Sequence, residues 1–261
     1  MRKFNANVTH LVAALAITAA AILMAFAIPA PAQAFTISLS SDDADAIAGS
    51  GHEVDIARKV DAFTTLRLDG AANVHARQGA TPSVVVHADD NIAPLVETTV
   101  EGDTLVVRMR QGTNLRSSHD IVVDVVFTSL AAAHQHGSGN LRIDRLSGQR
   151  FESTITGSGD LQIDAAQLGA FALSVAGSGD AAIAGTADEA RMGVAGSGDI
   201  DASKFAVKRV NISISGAGDA RVNATEALEA RVAGSGDVRY SGHPREVSRH
   251  VAGSGSVEAL N

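Results

Sequence analysis

Gly157-Ser158-Gly159-Asp160 and Gly177-Ser178-Gly179-Asp180 stand 20 residues apart and belong to a series of seven. The others are Gly137-Ser138-Gly139-Asn140, Gly196-Ser197-Gly198-Asp199, Gly216-Ala217-Gly218-Asp219, Gly234-Ser235-Gly236-Asp237 and Gly253-Ser254-Gly255-Ser256. Their first glycines are separated by 20, 20, 19, 20, 18 and 19 residues. A near-constant period of this size is the mark of a stacked repeat, in which each turn of chain returns to the same place one layer up. Four residues beyond the first glycine stand Leu141, Leu161, Ala181, Ile200, Ala220, Val238 and Val257. Two residues before it stand Gln135, Ile155, Val175, Val194, Ile214, Val232 and Val251. Apolar positions alternate with polar or small ones, so each tetrapeptide is a turn between two short strands with one buried face. The columns line up from copy to copy, which predicts an all-β fold, a parallel β-helix or β-solenoid with coils of about 19–20 residues. At roughly 4.8 Å of rise per coil, seven coils occupy on the order of 34 Å. The paired glycines suit a corner that needs positive φ and leaves no room for Cβ between layers.

Outside the repeats the chain of 261 residues divides by composition. Arg2 and Lys3 precede an uncharged stretch from Leu11 to Ile28, then Pro29, Pro31 and the small-x-small triplet Ala32-Gln33-Ala34. These are the three parts of a secretory signal over residues 1–34, with cleavage expected after Ala34. A retained membrane anchor is the alternative, since such a stretch nearly spans a bilayer. Residues 35–57 are polar and small and predict a flexible leader, followed by a repeat domain over residues 58–258. With no cysteine, an exported chain forms no disulfides and takes no lipoprotein-type lipid. A net charge of −8 and 3% aromatic residues argue against nucleic-acid binding, which calls for a basic stripe and stacking rings. Beyond the seventh tetrapeptide stand only Val257 to Asn261, so no translocating barrel of its own is expected.

From Val60 onward strand patterns appear at Phe63–Leu68, Asn73–Ala76, Ser83–His87, Val96–Val100, Thr104–Met109 and Ile121–Phe127, separated by turn signals such as Asp69-Gly70 and Glu101-Gly102-Asp103. Ile92 to Glu97 is compatible with one helical turn and Gln111 to Ser118 with a loose loop. This half is expected to continue the same stack less regularly.

The Gly-Ser-Gly-Asp copies, together with Phe63-Thr64-Thr65-Leu66-Arg67-Leu68, Glu101-Gly102-Asp103-Thr104-Leu105 and Tyr240-Ser241-Gly242-His243-Pro244, resemble the head GIN domain family, labelled putative auto-transporter adhesin. The resemblance covers about residues 58 to 258. It implies a right-handed parallel β-helix in the bacterial envelope and brings no catalytic site or ligand with it.

Four sets of residues could carry chemistry. Asp160, Asp180, Asp199, Asp219 and Asp237 form one column with side chains roughly 5 Å apart. Like charges at that spacing require compensation, by calcium or by hydrogen bonds from the turn's own backbone. Asn140 and Ser256 occupy the same column, and a turn acceptor explains Asn, Asp and Ser alike, so local capping is preferred. The serines Ser138, Ser158, Ser178, Ser197, Ser235 and Ser254 repeat too regularly for a nucleophile, which needs one distinct residue with its own base. His134 and His136 share one strand face, a spacing that can hold zinc. Of the candidates for a third ligand, His119, His243 and His250, the last lies about six coils away, roughly 29 Å. An enzyme acting on polysaccharide would need clustered acids and aromatic platforms. The positions flanking the turns, Thr156, Ala176, Ala195, Ser215, Ala233 and Ala252, are small, and Tyr240 is the sole tyrosine. The sequence therefore predicts a non-catalytic, exported module, periplasmic, outer-membrane-associated or secreted, with no cofactor. Its expected partner is a cell-surface or envelope polymer or protein, or further copies of itself. A carbohydrate-active enzyme is the alternative.

Overall fold

A computed structural model describes residues 46–116 and 119–260; the expected signal segment, its cleavage point after Ala34 and the first part of the expected leader lie outside them. Between tetrapeptides the chain is almost wholly extended. Leu161–Gly177, Ala181–Gly196, Ile200–Gly216 and Ala220–Gly234 each run from just past one corner to the first glycine of the next. Two short strands per coil were expected, and the coil is instead one long strand that bends midway. Register breaks between Ile163 and Ala166 and between Ala202 and Ala206 mark those bends.

Pairing between coils is parallel and in register. Gly137, Gly157, Gly177, Gly196, Gly216, Gly234 and Gly253 are successive partners, so seven corners stand in one vertical line and bound six full turns of a β-solenoid. The expected columns face inward. Leu161, Ala181, Ile200, Ala220 and Val238 are buried, as are Ile155, Val175, Val194, Ile214 and Val232. A third inward column begins with aromatic rings. Phe151 and Phe171 stack with centroids 6.2 Å apart, and Phe171 meets Phe205 edge-on at 5.4 Å. Such contacts add about 0.5–1.5 kcal/mol each beyond area burial.

The amino-terminal half continues the stack only in part. Thr65–Gly70 and Asn73–Gln78 pair in parallel with Ala132–Gly137 and Leu141–Ile143, forming the coil beneath the first tetrapeptide. Their corner, Gly70-Ala71-Ala72-Asn73, is an eighth copy that has lost its serine and second glycine. Thr104–Met109 and Val122–Phe127 lie in parallel beneath that coil. Three further strands run antiparallel: Val96–Glu101 on Thr104–Met109, Ser83–Asp89 on Val122–Phe127, and Glu53–Arg58 on Ser83–Asp89. The short Gly102-Asp103 turn can close only antiparallel neighbours, which is why Val96–Glu101 leaves the solenoid path. Residues 53–57 are thus strand, where the sequence predicted leader, and Leu115–Arg116 pairs with Ile47–Ala48 inside the segment predicted to be a loose loop. The helical turn is a 3-10 turn at Ala93–Leu95.

The two ends differ. Antiparallel strands flank the first coils. At the other end Glu246–Gly253 pairs only with Ala220–Gly234 among the described residues and is exposed along its whole length. There the inward column Leu173, Met192, Ile212, Ala230 gives way to Arg249, whose guanidinium lies 5.1 Å from the Tyr240 ring centroid and donates to its hydroxyl.

Candidate functional site: a charged groove across six coils

At the corners, both glycines of each tetrapeptide are dictated by the layer beneath. Gly177 has φ +135 and a Cβ on it would lie 2.2 Å from the Gly157 carbonyl oxygen; a Cβ on Gly179 would lie 2.2 Å from that of Gly159. The backbone passes this close because the corner N–H groups reach down to those carbonyls. Ser178 N–H donates to Gly157 O at 2.9 Å, and Ala217 N–H donates to Gly196 O at the same distance without a hydroxyl.

The aspartates complete this ladder. Asp180 N–H donates to Asp160 Oδ1 at 2.9 Å, Asp219 N–H to Asp199 Oδ1 at 2.7 Å and Asp237 N–H to Asp219 Oδ1 at 2.8 Å. Asn140 plays the same part for Asp160 N–H at 2.8 Å, and Asn73 for Asn140 N–H at 3.1 Å. One oxygen of each carboxylate is therefore committed to the next coil; bonds from the turn's own backbone were expected, and the acceptor instead takes the corner N–H one layer up, a part that Asn and Asp both play. Among the described residues no group of three or more His, Asp or Glu side chains converges to hold a metal ion.

The histidines scatter. His134 pairs with Arg67 and Thr154, His136 with Asp69 and Thr156, so no further imidazole lies beside them on the neighbouring strands. His250 is in the last coil, and His119 Nδ1 lies 2.7 Å from the fully buried Asp89 carboxylate. A grouping not foreseen from the sequence lies across the antiparallel strands. His87 Nδ1 is 2.7 Å from Asp55 and its Nε2 3.2 Å from Asp124, which His75 approaches at 3.6 Å. Burial of His87 works against its charge, but the hydrogen bond to Asp55 and the charge of Asp124 outweigh it and raise its pKa above the ordinary value.

A concavity lies on one side of the solenoid. It is a groove of about 680 Å3 that crosses the strands and follows the stacking direction from Arg150 to Ser248. Two outward columns line it. Seven residues before each corner glycine stand Arg150, Ala170, Glu189, Arg209, Ala227 and Glu246, in direct register from coil to coil. Five before it stand Glu152, Ala172, Arg191, Asn211, Glu229 and Ser248. The alanines open the groove, because side chains on the flanking coils are long and these are not. Between the columns, inward-facing Phe171, Ala190, Val210 and Leu228 make its floor.

Most of these charges are held by neighbours. Arg209 donates to Glu189 at 2.7 Å and lies 3.7 Å from Glu226, and Asn211 donates to Glu229 at 2.5 Å. The Glu189 hydrogen bond and charge raise the Arg209 pKa further, so its guanidinium stays charged. Arg191 and Glu246 make no ion pair among the described residues, and Arg150 meets Glu152 only at 3.6 Å. The sequence signal for this site was present but went unread: the offset of seven residues before each glycine puts a charge or an alanine in every copy from the second onward.

The family described as putative auto-transporter adhesin, head GIN domain, matches residues 62–244. Among solved structures, a putative adhesin from Bacteroides fragilis aligns with a TM-score of 0.79 at 24% identity, over 82% of this chain and 100% of its own. A putative lipid binding protein from Parabacteroides distasonis aligns at 0.70 and 26% identity, over 82% and 99%. A putative adhesin from Parabacteroides merdae gives 0.66 and 23%, over 83% and 100%. No curated protein matches the chain. With most of its length covered by that match, the chain belongs to the head GIN domain family of putative auto-transporter adhesins.

Proposed function

We propose that this chain is a non-catalytic, extracytoplasmic binding module of adhesin type, and that the groove from Arg150 to Ser248 is its contact face. The observation that carries this is the make-up of the face. Six coils supply it from two repeated columns in which Glu189 and Glu229 are engaged by the Arg209 guanidinium and the Asn211 amide, while Glu246 makes no ion pair among the described residues. A pair of acids working on a glycosidic bond must be free to exchange protons and sit at a fixed separation. Here the charges instead repeat with the coils, which suits many weak contacts along an extended partner. The amino-terminal pattern Arg2-Lys3, Leu11–Ile28 and Ala32-Gln33-Ala34 supports export. Fractionation of expressing cells with surface-protease accessibility tests location, and display of the chain on a non-adherent carrier cell tests adhesion. The carrier is expected to gain adherence to surfaces or to other displaying cells. Confinement of the native protein to the cytoplasm, or display with no gain of either kind, overturns the proposal.

A further inference from the structure

Resting on that assignment of the contact face, the geometry points to its partner: a second copy of the same chain, docked groove to groove with the solenoid axes antiparallel. The order of charges along the groove carries the inference. In register, the first column reads Arg150, Ala170, Glu189, Arg209, Ala227, Glu246. A two-fold axis lying in the interface, parallel to the strands and between the Glu189 and Arg209 coils, reverses the order of coils while keeping each column opposite itself. Arg150 then faces the second copy's Glu246, Ala170 faces Ala227, and Glu189 faces Arg209. Every charged position meets the opposite charge and every alanine meets an alanine.

The second column reverses without conflict. Glu152 faces Ser248, Ala172 faces Glu229 and Arg191 faces Asn211, so no like charges oppose. The residues eight before each glycine are Gln149, Gly169, Asp188, Lys208, Glu226 and Arg245. Reversed, they set Asp188 against Lys208, Gly169 against Glu226 and Gln149 against Arg245. Three neighbouring columns thus obey one two-fold relation centred on the same level, as an isologous interface requires of its surface. The pairing also gives a partner to Glu246, which has none among the described residues, and a second carboxylate to Arg150, which meets Glu152 at 3.6 Å. A parallel docking sets each coil against itself and one column against the other; it pairs Arg150 with Glu152 and Glu189 with Arg191 but leaves Glu246 against Ser248 and Arg209 against Asn211.

Size sets the strength. Six coils span about 24 Å, and a strip two to three side chains wide covers only a few hundred Å2 on each copy, below the roughly 800 Å2 per partner of a standard stable complex. The contact is weak and salt-sensitive in solution, with a dissociation constant on the order of 100 μM, and becomes effective where many copies face many others.

The test is sedimentation equilibrium of the protein purified from the envelope of expressing cells, over a range of concentrations at low and high ionic strength. A monomer–dimer equilibrium at low salt that weakens at high salt is expected. Arg150→Glu sets Glu against Glu246 and should weaken dimerisation about tenfold or more, as should Glu246→Arg alone. The double variant Arg150→Glu/Glu246→Arg restores opposite charges across the two-fold and should return to within about threefold of the original. Both positions of change are exposed, and circular dichroism checks the fold of each variant. A protein monomeric up to about 1 mM at low salt, singles that dimerise normally, or a double variant that is not rescued each overturns the antiparallel pairing. If the protein stays monomeric while the same substitutions change the adherence of displaying cells, the groove remains the contact face and its partner is another molecule.

Discussion

Asp199 hangs from Asp180: its backbone N–H donates to the Asp180 Oδ1 at 2.8 Å. The same relation repeats down the column, so each carboxylate pins the next coil's corner in register. Asp180→Ala leaves the Asp199 N–H to water and should cost about 1 kcal/mol, lowering the melting temperature by about 2–4 °C. Asp180→Asn keeps the acceptor, as Asn140 does for Asp160 N–H at 2.8 Å, and removes a like charge from the column. It should melt at or slightly above the parent. Added calcium or chelator is expected to leave both melting temperatures unchanged. A calcium-dependent rise that Asp180→Asn abolishes would mean that the column holds cations.

Two glycines separate shape from sequence habit. A Cβ on Gly198 would lie 2.1 Å from the Gly179 carbonyl oxygen, backbone that cannot move without opening the stack, whereas a Cβ on Gly148 meets nothing within 4 Å. Gly198→Ala is expected to destabilise by about 3 kcal/mol or more, and Gly148→Ala to stay within about 0.5 kcal/mol of the parent. Urea denaturation of the two variants decides it. Equal midpoints would show that the corner layers are not in contact.

How much of this was legible follows from the same two residues. The corner glycines could be found because nothing else fits beneath a carbonyl at that distance, so the repeat survives in one-dimensional form. The inward columns could be found because burial restricts them to apolar side chains. Asp160 and its counterparts were legible as a column, and the preference for capping rested on Asn140. The antiparallel pairing of Val96–Glu101 with Thr104–Met109 was not legible, because the cue for a hairpin, a short polar turn with glycine, is also the cue for a solenoid corner, and Glu53–Arg58 was not placed because it borders the polar stretch read as leader. The first coil's corner at Gly70-Ala71-Ala72-Asn73 escaped because only its glycine and its acceptor remain. The groove escaped for a different reason: Arg150, Ala170 and Glu189 share no chemistry, and they become one feature only when counted back from the glycines.

His87 couples stability to pH. Its folded pKa is raised above the ordinary 6.5, so the stabilisation is fully present below that value and is lost as pH climbs through the folded pKa. His119 behaves the same way, its pKa raised by the hydrogen bond to Asp89 and then by that carboxylate's charge. The urea midpoint should therefore fall as pH rises above about 6.5, and His87→Gln should remove part of that slope by ending the ion pairs that His87, on Ser83–Asp89, makes with Asp55 and Asp124. An unchanged slope in His87→Gln/His119→Gln would place the dependence elsewhere.

Phe171 lies between two rings and is 2% exposed, so truncation cannot be relieved by collapse from solvent. Phe171→Ala should cost about 3–5 kcal/mol, the range for a buried aromatic lost from a packed core. Because the coils contact chiefly their neighbours, the loss should be felt first in the coils around it. Hydrogen exchange is expected to quicken at Phe151–Ile155 and Val207–Ile212 before Val238–Ser241. Uniform quickening along the stack would show that the coils unfold as one unit.

Arg249 ends the inward column that Leu173, Met192, Ile212 and Ala230 occupy below it, and its guanidinium lies over Tyr240 at 5.1 Å. An inward-pointing charge on an edge strand penalises any strand that would dock there, since docking would bury it. The strand it protects carries Val247 and Val251, which are 38% and 45% exposed. Arg249→Val extends the apolar column to the edge and should convert that end into a template for further strands. Light scattering should then show concentration-dependent assembly that high salt leaves intact or strengthens, opposite to the salt response of the groove contact. Because the substitution removes one charge far from the alanine-lined groove centre, the weak dimer should persist in the soluble fraction. A variant that stays as soluble as its parent would mean that the edge is protected by something other than Arg249.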